Sequence, residues 1–132
     1  MILADTSVLI DFLKDIKNSA TDKLNKIIEL DIPYGITSHI YQELLQGTSS
    51  QKDFDALKKY LDTLTFFFPL DQKESYSKAA NIYFQCRKKG VTVRSSIDCL
   101  IVQIAIEHGL KLLHNDKDFE KISTVIKKIE LY

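Results

Sequence analysis

The sequence predicts an α/β fold, a three-layer α/β/α sandwich around a central, mostly parallel sheet of about five strands. Two observations carry that expectation. Short apolar runs at 2–4, 34–38, 65–70, 110–114 and 125–131 alternate along the chain with amphipathic segments of helical period. Two prolines and four glycines in 132 residues leave little room for linkers, and no repeat or low-complexity tract is present, so one domain over 1–132 is expected.

The elements follow in order. Ile2, Leu3 and Ala4 form a first buried strand that runs straight into Asp5. Residues 7–14 make a short helix with Val8, Leu9, Phe12 and Leu13 on its apolar side, and either Thr6 or Ser7 can cap it while holding the Asp5 carboxylate. Asp22 caps a second helix that ends before Pro33, and YGITS (34–38) is a β-rich run. Ser38 caps HIYQELLQ, with Gly47 as its stop. Residues 52–64 are amphipathic, and TFFFPL (65–70) reads as a buried strand. Asp71 with Glu74 has the spacing of a capping box and opens a long helix ending in RKKG (87–90). Ser95 or Ser96 caps IDCLIVQIAIEH (97–108), which is apolar almost all round and therefore heavily buried. LKLLH (110–114) is a strand, NDKDFEKI (115–122) a loop entering a short helix, and VIKKIEL (125–131) a last strand.

Composition narrows the function classes. Hydrophobic content of 45% and charged content of 27% are those of a globular protein. Eighteen basic residues balance 18 acidic ones, so net charge neither favours nor opposes a nucleic-acid partner. Cys86 and Cys99 sit in apolar helical patterns and read as buried thiols of a reducing compartment. No apolar run approaches the roughly 20 residues of a membrane span. The N-terminus has no signal-peptide pattern, and a cytoplasmic location is expected.

The candidate chemistry lies in acids beyond the strands. Asp5 ends strand one, Glu43 stands one turn into the helix after strand two, Asp98 is near the start of the buried helix, and Asp116 and Asp118 follow LKLLH. In parallel sheets, working groups gather beyond the carboxyl ends of the strands. Any one of these acids could simply serve a helix dipole. Four segments delivering carboxylates to one sheet edge is different, because such groups stay ionised together only around a cation. An oxygen-only set suits Mg²⁺ or Mn²⁺ and phosphate oxygens, and no zinc-type Cys/His spacing is present. Arg94, just before the Asp98 helix, is the leading phosphate contact. His114 reads as a local hydrogen-bonding group. A dehalogenase-type phosphatase would need a second Asp where Ser7 stands, and a receiver domain would need adjacent acids after strand one. A non-catalytic module that uses the acidic pocket to bind a basic partner is the remaining alternative.

The segments ILADTSVLIDFL, HIYQELLQG and SSIDCLIVQIAIEHGLKLLHNDKDFEKI, in this order and over essentially the whole chain, resemble a PIN-domain ribonuclease. More narrowly they resemble the VapC toxin component of VapBC toxin–antitoxin pairs. The resemblance implies a PIN-like fold and an endoribonuclease dependent on Mg²⁺ or Mn²⁺ that cleaves tRNA or rRNA. It also implies a homodimer held inactive by a cognate VapB-type antitoxin. Its acidic set maps onto Asp5, Glu43, Asp98 and Asp116, with Asp5, Asp98 and Asp116 toward the metal. Ser7 and Asp118 stand behind them, and the relative weight of Asp116 and Asp118 stays open.

Overall fold

The computed structural model describes all 132 residues. The chain runs β1 (Ile2–Ala4), α1 (Thr6–Leu13), α2 (Ser19–Glu29), β2 (Tyr34–Ile36), α3 (Ser38–Gln46), α4 (Gln51–Leu61), β3 (Thr65–Phe66) and α5 (Glu74–Lys88). It finishes with α6 (Ser96–Glu107), β4 (Lys111–Leu113), α7 (Lys117–Val125) and β5 (Glu130–Leu131). The five strands form one sheet in the order β3-β2-β1-β4-β5. Every pairing is parallel, with Ile2 beside both Tyr34 and Lys111.

That order is the expected three-layer α/β/α sandwich, and it fixes where a site can form. From β1 the chain builds one half of the sheet outward through β2 and β3, then crosses back to lay β4 and β5 on the other side. The reversal falls between β1 and β4, and beyond their carboxyl ends the connections part to leave a crevice. β1 is fully buried because helices cover both faces of the central strand. The core comprises 31 apolar residues, with α6 contributing Cys99, Leu100, Ile101, Val102, Ile104 and Ala105. α6 is thus buried nearly all round, as its sequence requires. At β2, Gly35 is packed so closely on β3 that a Cβ would stand 2.3 Å from the Thr65 carbonyl oxygen.

Several boundaries differ from the sequence expectation. Asn18, not Asp22, caps α2, because Asn18 and Thr21 exchange side-chain and backbone hydrogen bonds in a complete capping box. Thr37 rather than Ser38 caps α3, its hydroxyl accepting from Ile40 N–H. Asp71 does accept from the Lys73 and Glu74 N–H groups, but Ser75, not Glu74, closes the return bond to the Asp71 N–H. β3 stops at Phe66, before the turn toward Pro69, and β5 shrinks to two residues. The 125–129 stretch is instead the end of α7 and a turn. Ile126 and Ile129 are buried there, so apolar spacing imitated a strand without sheet pairing.

Candidate active site

Asp5 is the N-cap of α1. Its Oδ2 accepts from the Ser7 N–H at 3.0 Å and from the Ser7 hydroxyl at 2.7 Å, while its own N–H donates to Leu113 O on β4 at 2.9 Å. A carboxylate is therefore held at the β1/β4 crevice by the strand end and by the first turn of the helix together. Ser7 reaches across the crevice as well, since its Oγ accepts from the Asn115 N–H at 2.9 Å. Of the two hydroxyl residues behind Asp5, Ser7 makes both contacts, and the buried Thr6 Oγ1 has no partner in the chain.

The other acids arrive from their own elements. Asp98 lies in the first turn of α6, whose N-cap is Ser95. Asp116 caps α7, with Oδ1 accepting from the Asp118 N–H at 2.9 Å. Glu43 projects from α3 into a cavity also lined by Thr6, Gln42 and Ile97. They lie close enough for their charges to act on one another. Burial pushes Asp98 up to about 7, and Asp5, Asp116, Asp118 and Glu43 all add to that rise. Asp5 is raised too, by burial first, with Glu43 adding and the Ser7 hydrogen bonds opposing. The structure thus brings Asp5, Glu43, Asp98, Asp116 and Asp118 into one field.

Asp118 differs from the rest. It is 1% exposed, and burial alone would raise its carboxyl, but the hydrogen bonds and charge of Arg94 hold it below the usual range. Arg94 N–H and Nε both donate to Asp118 Oδ2, at 3.2 and 3.0 Å, and Nη2 donates to Asp116 Oδ1 at 3.0 Å. The sequence presented Arg94 as the leading phosphate contact; here it also ties the loop before α6 to the start of α7. Its side chain is still 70% exposed, so one face of the guanidinium remains open to solvent.

Two residues absent from the sequence reading complete the crevice. Asp11 Oδ2 accepts from both the Asn18 and Asn115 amides, at 3.0 and 2.9 Å, joining α1, α2 and the β4 exit. Their only sequence signal was position, one turn after Ser7 and directly before Asp116. His114 Nδ1 accepts from the Asp116 N–H at 3.2 Å, and burial keeps its pKa below the ordinary value. It acts as the local hydrogen-bonding group expected. Cys86 and Cys99 are buried free thiols, and burial raises Cys99 to about 12, which leaves it inert.

The donor set fits a hard divalent cation. It is all oxygen, its acids repel one another, and the buried Thr6 Oγ1 at this end lacks a hydrogen-bond partner. No three of the side chains converge closely enough to enclose an ion unaided. Mg²⁺ and ions like it need no such cage, taking one or two carboxylates and keeping waters and phosphate oxygens.

A parallel sheet of order 3-2-1-4-5, with carboxylates from four segments at its switch point, defines an acid-centred α/β/α protein suited to phosphate chemistry. The chain belongs to the PIN domain family, whose model matches residues 2–125. Among its relatives are the VapC ribonuclease Mb1587 of Mycobacterium bovis and ribonuclease VapC11 of Mycobacterium tuberculosis. Each is 29% identical over 126 residues, covering 95% of this chain and 93% of the relative. Solved structures of the same fold include VapBC2 from Rickettsia felis bound to a promoter DNA fragment, with a TM-score of 0.75 at 18% identity. DNA-bound VapBC from Salmonella typhimurium matches with a TM-score of 0.74 at 20% identity. Both alignments cover 100% of this chain and 98% of the other. No helix is long and apolar enough to cross a membrane.

Proposed function

We propose that this chain is the toxin of a type II toxin–antitoxin pair, an endoribonuclease dependent on Mg²⁺ or Mn²⁺. The observation that carries the reading is Asp98, half-buried at the switch point and raised to about 7 by burial first, with its acidic neighbours adding to the rise. A neutralising cation relieves that repulsion, and RNA phosphate is the substrate that such a centre suits. The VapC relatives are named ribonucleases, and structures of the same fold include VapBC complexes and a toxin–antitoxin complex from Klebsiella pneumoniae, which supports nuclease activity and a VapB-type partner. Cleavage of tRNA or rRNA, a homodimer and a cytoplasmic setting belong to the same proposal.

Asp5, Asp98 and Asp116 would hold the ion, Asp5 kept in position by Ser7. When bound, the ion polarises the scissile phosphate and lowers the pKa of an attacking water. Glu43 faces the same crevice from α3, where it would orient an attacking water or accept its proton. Asp116 orients the approach from the α7 side, with its Oδ1 fixed by Arg94 and the Asp118 N–H. The open face of Arg94 meets a phosphate of the RNA backbone. In-line attack leaves a 5′-phosphate and a 3′-hydroxyl.

The test is incubation of total tRNA and ribosomal RNA with purified protein in Mg²⁺, Mn²⁺ or EDTA, beside Asp98→Asn. Discrete products that require both the ion and Asp98 are expected. A folded, cation-binding protein that cleaves neither RNA pool would overturn the nuclease reading in favour of a non-catalytic acidic-pocket module.

A further inference from the structure

Beside the acids lies a second concavity to which the chemistry above gives no task. It has a volume of about 340 Å³ and is walled by Tyr76 and Tyr83 of α5, by His39 of α3, and by Ile97 and Leu100 of α6. Tyr76, Ala79, Ala80 and Tyr83 follow helical spacing on one face of α5. Two rings therefore flank two methyl groups, which leaves a gap between the tyrosines where a larger side chain would fill it. Tyr76 is 44% exposed. Polar groups stand at the edge. Ser95 rather than Ser96 caps α6, so the Ser96 hydroxyl is free of that duty, and the His39 side chain is partly exposed. The Arg87 guanidinium lies 6.0 Å from the centre of the Tyr83 ring and adds a cation.

The slot is continuous with the acidic crevice. Its neighbour is the cavity that contains Glu43, and the two share His39 and Ile97. Ile97 directly precedes Asp98, and Glu43 is one turn beyond His39.

We propose that this slot is a nucleobase subsite, in which a base of the RNA next to the scissile phosphate leaves its stack and lodges against Tyr76 and Tyr83. The inference rests on the nuclease reading and deepens it. A flat, apolar-faced heterocycle with polar edges matches aromatic walls, a methyl floor and hydroxyl and imidazole groups at the rim. Stacking on aromatic side chains is the usual way in which proteins hold unstacked RNA bases. Arg87 adds a contact for the flanking phosphate. Cleavage would then favour unpaired positions, where extruding a base costs least.

The experiment uses the whole chain, metal-free, titrated with the four ribonucleoside 5′-monophosphates and separately with ribose 5-phosphate. Signals from the Tyr76 and Tyr83 rings and the Ala79 and Ala80 methyls are followed by NMR. At least one nucleotide is expected to shift these signals saturably, with ribose 5-phosphate leaving them unmoved. Tyr83→Leu, which keeps apolar bulk without an aromatic face, is expected to weaken that binding about tenfold. Tyr76→Leu provides a second variant should Tyr83→Leu unfold. Silence with all four nucleotides, an equal response to ribose 5-phosphate, or ring signals that move only with protein concentration would overturn the proposal. The last result would assign the slot to a second copy of the chain. RNA cleavage by a chain whose slot binds no nucleotide would reject the subsite and keep the nuclease. Nucleotide binding by a chain that cleaves no RNA would do the reverse.

Discussion

Asp98 and Glu107 occupy opposite ends of α6, one in its first turn and the other at its last residue. Both are acids set against the core, yet their surroundings differ. Burial alone would raise Glu107, but the Leu70 N–H, the Ser75 hydroxyl and the Gln103 amide donate to it at 3.0, 2.6 and 3.1 Å. These bonds hold its carboxyl below the usual range. Asp98 is raised to about 7 by burial, and four other acids nearby add to that rise. The contrast separates an acid that holds the fold together from one whose charge the fold leaves uncompensated. Glu107 ties α5 and the 70–71 turn to α6, whereas the Asp98 carboxylate has no hydrogen bond or ion pair within the chain.

The largest effect that could break this contrast comes from Asp98→Asn. Cleavage should fall by about a hundredfold or more, read as product formed from total tRNA in Mg²⁺. The same change should stabilise the metal-free protein at pH 8 by on the order of 2 kcal/mol, measured by urea unfolding. The sign follows from linkage. An acid whose pKa is higher in the folded state loses stability for the protein as pH rises from its ordinary 3.8 toward about 7. Asn removes that loss and leaves stability unchanged below pH 4, so a destabilised variant at pH 8 would contradict the account.

Asp118→Asn comes next. Loss of the buried carboxylate that receives Arg94 should cost about 2 kcal/mol of unfolding free energy. Activity should fall less than in Asp98→Asn, because Asp118 steadies the Arg94 loop and the start of α7. Glu107→Gln should cost about 1 kcal/mol at pH 7 and leave cleavage intact. Its carboxyl is depressed in the folded state, so the wild-type advantage is present above pH 4.5 and disappears as pH falls through the lower folded value. Unfolding curves of the two proteins should therefore converge once the pH has fallen below the depressed folded-state value of Glu107. Arg94→Gln sharpens the comparison least. Half-saturating salt titrations of RNA binding to an inactive Asp98→Asn background should lose about one unit of slope, the signature of one phosphate contact.

How much of this was legible in the sequence depends on the range of the interaction. β1, α6 and the parallel α/β architecture follow from local apolar period, and Asp5, Asp98, Asp116 and Asp118 stood out because each follows a strand or opens a helix, with Glu43 one turn into α3. Cap identity was harder. Asn18 and Thr37 are chosen over Asp22 and Ser38 by where the chain turns, a matter of one to four residues that periodicity does not resolve. β5 was overread because Ile126 and Ile129 are buried without pairing in the sheet. The bonds from Arg94 to Asp118 and from Asn115 to Ser7 were out of reach, since they join residues 24 and 108 positions apart. Asp118 looked like one more acid after β4, and only its buried pairing with Arg94 sets it apart from Asp116.

Carboxyl ¹³C titration of Asp98 and Glu107 in one sample, with and without Mg²⁺, tests the central contrast directly. Asp98 should titrate near 7 in metal-free buffer and move to lower pH when Mg²⁺ is added, while Glu107 stays below 4.5 and ignores the ion. An Asp98 that titrates near its ordinary 3.8 and does not respond to Mg²⁺ would contradict the account of the acid centre.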